Sequence, residues 1–243
     1  MQREIHKWNS DNLHKEMEIA VYGHYGYALL LFPTAGADYL EYERFYLIDS
    51  IADFINSGTI KVFSINSINS ESWMNRNINP VQKIERHEEY NKYIVDEVIP
   101  FIGEHCRGIV PLVTAGASLG AYHAANTFFR RPELFAGVIA MSGIYDLKNY
   151  TYGYFDDSCY FNSPVDYLSG LNDESILSEM RYKNIIIACG QGAYEDPSAS
   201  RKLSDILHSK NIPHWFDLWG EDMTHDWPTW RKMLPYFLDN INV

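Results

Sequence analysis

Three cysteines in 243 residues, Cys106, Cys159 and Cys189, are too few and too widely spaced for a disulfide framework, and they match no zinc motif. Cys189 ends the apolar run Ile185–Cys189 and reads as a buried thiol. Basic residues are scarce as well. Twenty Lys and Arg against 32 Asp and Glu leave a formal net charge of −12. A surface that acidic repels phosphate backbones and anionic lipid, so neither nucleic acid nor a membrane is an expected partner. No apolar run reaches the ~20 residues of a membrane-spanning helix. The first residues, Met1-Gln2-Arg3-Glu4-Ile5-His6-Lys7, lack the apolar stretch of a signal peptide, and a soluble, cytoplasmic protein is expected. Internal repeats and low-complexity tracts are absent.

What the chain does have is apolar material for a core, 46% of residues, with an ordinary 21% charged. Its length suits one α/β domain over 1–243. Seven strands are expected, at Met17–Tyr22, Tyr27–Phe32, Ile60–Ile65, Leu112–Ala115, Ala136–Met141, Ile185–Cys189 and His214–Trp219. Several are apolar throughout, which suits strands covered on both faces of a parallel sheet. The first two are read as a hairpin turning at Gly23-His24-Tyr25-Gly26. Between strands, 81–102 sets Val81, Ile84, Ile94, Val95, Val98 and Ile102 on one helical face. Helices are also expected from Leu119 to just before Pro132, over 198–210 and over 228–239. The alternation predicts a mostly parallel sheet with helices on both sides. One segment breaks the rhythm. Residues 143–183 mix nine Tyr and Phe with Gly, Asp, Asn and Ser, and are read as an excursion covering a pocket.

The chemistry-bearing motif is Gly116-Ala117-Ser118-Leu119-Gly120, set between an apolar strand and a small-residue helix, Ala121-Tyr122-His123-Ala124-Ala125. Gly-x-Ser-x-Gly in that context is a nucleophile elbow. The serine occupies a strained turn that lifts its Oγ clear of the sheet, and the flanking glycines remove Cβ atoms that would clash. The N–H of Leu119 then points at a forming oxyanion. A serine nucleophile needs a histidine base and a carboxylate to orient it, following in the order acid, then histidine. His225 fits, in the loop between the last strand and the last helix. His6, His14, His24 and His208 lie in polar stretches and read as solvated; His87, Asn91 and His123 read as structural.

For the acid, Glu195 and Asp196 both lie in the loop after Ile185–Cys189. Glu195 is favoured because Asp196 is placed to cap the helix opened by Pro197; Asp146 ranks third. The second oxyanion donor is expected from Pro33-Thr34-Ala35-Gly36. Pro33 has no N–H, so Ala35 is preferred over Thr34.

Phe-Pro-Thr-Ala-Gly at 32–36, Gly-Ala-Ser-Leu-Gly-Ala at 116–121, Cys-Gly-Gln-Gly-Ala-Tyr-Glu at 189–195 and His-Asp-Trp at 225–227 together resemble the esterase D-like family of α/β hydrolases. Feruloyl and acetyl xylan-type esterases, S-formylglutathione hydrolases and mycolyltransferases belong to it. The resemblance runs from about residue 15 to 240. It implies the α/β-hydrolase fold and a small-molecule ester substrate, and it supports Glu195 as the acid. Where many relatives carry His-Gly in the oxyanion loop, this chain has Pro33-Thr34. Trp73, in the family-like stretch 66–79, is a candidate substrate-binding residue.

The expected activity is carboxylic-ester hydrolysis through an acyl-enzyme on Ser118. An acyltransferase or thioesterase with the same triad, or a non-catalytic binding module, are the alternatives. The rate should rise with pH through about 6 to 7, as a histidine base loses its proton. No metal or cofactor is expected: only Asp222, His225 and Asp226 have ligand-like spacing, and the triad accounts for them.

Overall fold

The eight strands of a computed structural model, which describes residues 1–243, form one sheet. They are β1 (Arg3–Ser10), β2 (Lys15–Tyr22), β3 (Tyr27–Phe32), β4 (Ile60–Ile65), β5 (Leu112–Ala117), β6 (Gly137–Met141), β7 (Asn184–Cys189) and β8 (Trp215–Leu218). Their spatial order is β1-β2-β4-β3-β5-β6-β7-β8. Strands β3 to β8 run parallel, and β2 is antiparallel to β4. β3 to β6 are buried along almost their whole length, as strands covered on both faces are, with Lys61, Ser64 and Thr114 the polar residues among them.

The hairpin is not the expected one. β2 does not pair with β3; it turns back on β1 in an antiparallel register from Arg3↔Tyr22 to Ser10↔Lys15. The chain instead leaves β2 through Gly23–Gly26 and crosses to β3, whose neighbours are β4 and β5. β1 has no apolar face: its half-buried positions are Glu4, His6 and Trp8, while Ile5 is exposed. An apolar-periodicity reading therefore passes over it.

The sheet separates two hydrophobic cores. One lies under the helix that runs from Pro80 to His105 and under Leu119–Arg130 and Pro197–Ser209, with Phe63, Tyr90, Val98, Phe128 and Leu207. The other lies under the short helical turns of 41–56 and the final helix Trp227–Asn240, with Tyr42, Ile48, Ile55, Trp230 and Phe237. The 80–105 helix is longer than the expected 81–102. Asn79 and Gln82 form a reciprocal capping box at its start, and a π-helical turn at Ile94–Val98 precedes Pro100.

Only part of the 143–183 segment is an excursion. Helices Pro164–Gly170 and Glu174–Arg181 put Val165, Leu168, Leu177 and Met180 into the first core, so they form the ordinary crossover from β6 to β7. Residues 144–161 lie instead beside the start of the Leu119–Arg130 helix, where Leu147 and Cys159 pack with Leu119 and Tyr122. Lys83, itself buried, holds this stretch down. Its Nζ donates to the carbonyls of Trp73 and Tyr150, both at 3.1 Å, and sits over the Tyr152 ring at 4.7 Å.

Candidate active site

Ser118 sits between the end of β5 and the helix Leu119–Arg130, with φ 56° and ψ −123°. A non-glycine residue at positive φ costs on the order of 1–3 kcal/mol, and the strain persists only where the surroundings enforce it. Here they do. A Cβ on Gly120 would overlap the carbonyl oxygens of Phe32 and Pro33, and one on Gly116 would overlap the Gly120 carbonyl. The turn is thus wedged against the end of β3, and the Ser118 N–H is tied across to Met141 O at 3.0 Å.

Ser118 Oγ–H donates to His225 Nε2 at 2.9 Å, and His225 Nδ1–H donates to Glu195 Oε2 at 3.1 Å. The Glu195 side chain is 1% exposed and that of His225 26%, so the acid is sealed while the base is reachable. Asp196 points away: its Oδ1 accepts from Ser198 N at 3.0 Å, capping Pro197–Ser209. Asp146 spends its carboxylate on the N–H of Lys148. The loops carrying acid and base are knitted by Gly192 N–H to Met223 O (2.8 Å) and His225 N–H to Ala193 O (3.0 Å).

Several partners of this line carry no sequence motif. Ser142, at φ 52°, donates from Oγ to Glu195 Oε1 at 2.6 Å and accepts from Trp230 Nε1–H at 3.0 Å. The Trp230 indole also meets the His225 ring edge-to-face at 5.2 Å. Cys189 Sγ–H faces Glu195 Oε2 at 3.4 Å, and burial pushes that thiol up to about 12, leaving it an inert donor. Burial raises the Glu195 carboxyl, but the hydrogen bonds from His225 and Ser142 outweigh it and hold Glu195 below the usual carboxylate range. The acid therefore stays ionised wherever the imidazole is neutral.

The loop after β3 lies against the elbow, because Phe32 pairs with Gly116. Thr34 cannot serve an oxyanion. Its N–H and Oγ1–H both donate to buried Glu41, at 2.8 and 2.6 Å. Its carbonyl accepts from Asn69 Nδ2 at 3.4 Å, and Asn69 Oδ1 in turn accepts from His123 Nε2–H at 2.7 Å. The N–H groups of Ala35 and Leu119 have no intramolecular acceptor. Glu41 thus acts on the loop rather than on substrate. Glu41→Gln turns an N–H against one of the two Thr34 donors and should lower kcat about 10- to 100-fold, with KM moving less than threefold. Steady-state kinetics on p-nitrophenyl acetate check this; a kcat within twofold of wild type would remove Glu41 from the argument.

Trp73 does not line the cleft. It is 1% exposed and packs behind Leu119, with its ring 4.7 Å from His87 and 6.2 Å from Tyr122. Its neighbour Met74 is the exposed one and lies beside Gly36 of the oxyanion loop. Its place in the family-like stretch 66–79 made Trp73 a candidate, but burial assigns it to the wall's interior.

The family model described as "Putative esterase" matches residues 38–239. No curated protein matches the chain in sequence. Among solved structures, a ferulic acid esterase is 18% identical with a TM-score of 0.78, over 98% of this chain and 96% of that one. An S-formylglutathione hydrolase from Staphylococcus aureus is 17% identical with a TM-score of 0.71, over 98% and 97%. MPT51 from Mycobacterium tuberculosis is 15% identical with a TM-score of 0.72, over 99% and 98%. At such identities the likeness speaks for the fold, and the family match carries the chemistry: the chain belongs to this esterase family and is a serine carboxylic-ester hydrolase of the α/β-hydrolase fold.

Proposed function

We propose that Ser118 is the nucleophile, His225 its base and Glu195 the orienting acid, acting on a small-molecule ester. The observation that carries this is the unbroken line from Ser118 Oγ through His225 to Glu195, at 2.9 and 3.1 Å. Ser118 Oγ attacks the ester carbonyl as His225 Nε2 takes its proton. The N–H groups of Leu119 and Ala35 hold the oxyanion. His225 passes the proton to the leaving alkoxide, and the alcohol departs. Water, deprotonated by His225, then attacks the acyl-enzyme; His225 returns the proton to Ser118 Oγ as the acyl–Oγ bond breaks and the acid leaves. Met74 and the aromatic residues Tyr152, Tyr154 and Phe155, all exposed, supply walls for an acyl or aromatic group. The names ferulic acid esterase and S-formylglutathione hydrolase among similar folds give two substrate chemistries to try first, an aromatic ester and a thioester. Transfer to an acceptor alcohol in place of water is the second reading.

A p-nitrophenyl ester series from acetate to octanoate, a feruloyl ester and an acyl thioester, each with and without an added alcohol, test this reading. Hydrolysis of oxygen esters should dominate. Fluorophosphonate labelling should fall on the peptide carrying Ser118, and labelling elsewhere would sink the assignment. Glu195→Gln should lower kcat by about 10³. Asp196→Asn should leave it within threefold and cost at most about 1 kcal/mol of stability at the cap. The reverse ranking would give the acid role to Asp196.

A further inference from the structure

Four side chains of β1, from Glu4, His6, Trp8 and Ser10, face the layer of the 80–105 helix, and two of them are a carboxylate and an imidazole. Opposite them stands His105, the last residue of that helix. Both imidazoles reach the same atom: Glu4 Oε2 lies 2.9 Å from His6 Nε2 and 3.2 Å from His105 Nε2. The three donor atoms all lie within 4.8 Å of one another. The other carboxylate oxygen, Oε1, accepts from Gln2 Nε2, which turns Oε2 toward the two rings. The rings are held in place as well. His6 meets Phe101 edge-on at 5.2 Å, and His105 meets Phe63 at 5.7 Å. Lys61 Nζ donates to the His105 carbonyl at 3.2 Å, fixing that residue's backbone to β4.

We propose that Glu4, His6 and His105 form a binding site for a divalent transition metal of the zinc type. Two imidazole nitrogens and one carboxylate oxygen are a borderline donor set that suits Zn²⁺ and not Mg²⁺ or Ca²⁺, which prefer all-oxygen shells. A tetrahedral ion with bonds of about 2.0–2.1 Å keeps its ligand atoms roughly 3.3 Å apart, close to the two spacings found. The Gln2 contact is the kind of outer hydrogen bond that orients a ligating carboxylate. A fourth position opens on a groove of about 1300 Å³ that Glu4 and His105 line together with Tyr27, Lys61 and Arg107. That groove lies where β3, β4 and β5 begin, at the end of the sheet opposite Ser118. The ion is therefore structural. It ties the β1–β2 hairpin to the end of the long helix and takes no part in ester hydrolysis.

The full chain, freed of metal by dialysis against a chelator, is titrated with zinc sulfate in competition with a chromophoric chelator. Wild type should bind one equivalent, and His6→Ala and His105→Ala should each weaken binding at least about tenfold. Zinc should raise the wild-type Tm by roughly 5 °C or more, reversibly with chelator, and should not raise that of His6→Ala. His6 lies on an edge strand with its side chain 35% exposed, so its replacement leaves the core intact even where His105→Ala fails to fold. Hydrolysis of p-nitrophenyl acetate by His6→Ala should match wild type. No saturable equivalent, or equal affinity in wild type and His6→Ala, would overturn the proposal.

Discussion

Ser118→Ala should lower kcat/KM on p-nitrophenyl acetate by at least about 10⁴-fold, with the far-UV spectrum unchanged. The loss is this large because, in the proposed mechanism, Ser118 Oγ is the atom that bonds to the acyl carbon, and without it His225 has no hydroxyl proton to accept. The fold does not depend on that atom. The Ser118 backbone is held by its N–H bond to Met141 and by the tight seat of Gly120, and the freed His225 nitrogen, on a partly exposed ring, can bond to water. Nucleophile and base act as a unit, so Ser118→Ala combined with His225→Ala should be little worse than Ser118→Ala alone. The residual rate then reports the oxyanion hole. A Ser118→Ala enzyme keeping a tenth of wild-type activity would place the nucleophile elsewhere.

Acid should destabilise this protein before its carboxylates are protonated. Lowering the pH from 6.5 to 4.5 is expected to remove at least about 2 kcal/mol of unfolding free energy, the contribution of His123 alone, a sizeable part of the 5–15 kcal/mol typical of a domain. The cause is two fully buried histidines in the first core. Burial pushes His123 down to about 3. It also holds His87 well below its ordinary value, with the Arg130 charge, and that of His123 once it is protonated, adding to the effect. Both are neutral in the native state and take up a proton on unfolding below about 6.5. The unfolded state then binds the extra protons, so stability falls as pH falls, by about 1.4 kcal/mol per pH unit for His123, with His87 adding in the same direction. The loss begins near 6.5 and for His123 continues to about 3; Glu195 adds to it as the pH falls through the ordinary carboxylate range and below. Urea midpoints at pH 7, 6.5, 5.5 and 4.5 measure the slope. His123→Gln, whose amide can still donate to Asn69, should reduce it by about 1.4 kcal/mol per pH unit. A wild-type slope under half the expected one would mean that these histidines accept protons without unfolding.

What could be read in advance follows how local each feature is. β3, β6 and β7 were legible because a strand covered on both faces is apolar nearly throughout, and β4 and β5 because Lys61, Ser64 and Thr114 stand alone among apolar residues. The elbow was legible because its geometry depends on glycines within two residues of Ser118. His225 could be found because it must lie beyond the last strand. β1 was missed because the residues it turns inward are Glu4 and His6. Glu195 and Asp196 are neighbours in one loop, and the choice between them turns on which one Ser142, Cys189 and His225 surround. The support of the oxyanion loop was not legible at all. Glu41, Asn69 and His123 come from three separate segments and meet at Thr34 only in the folded chain.

The division of the interior by the sheet has a consequence for how the enzyme fails. The helix that follows Ser118 is anchored in one core, and the helix that follows His225 in the other. The bond between these two side chains therefore spans two independently packed layers. A small slide of either layer changes the spacing of nucleophile and base while strands and helices stay intact. Catalysis in such a molecule gauges the alignment of its halves, and it responds to loosening before any measure of secondary structure does.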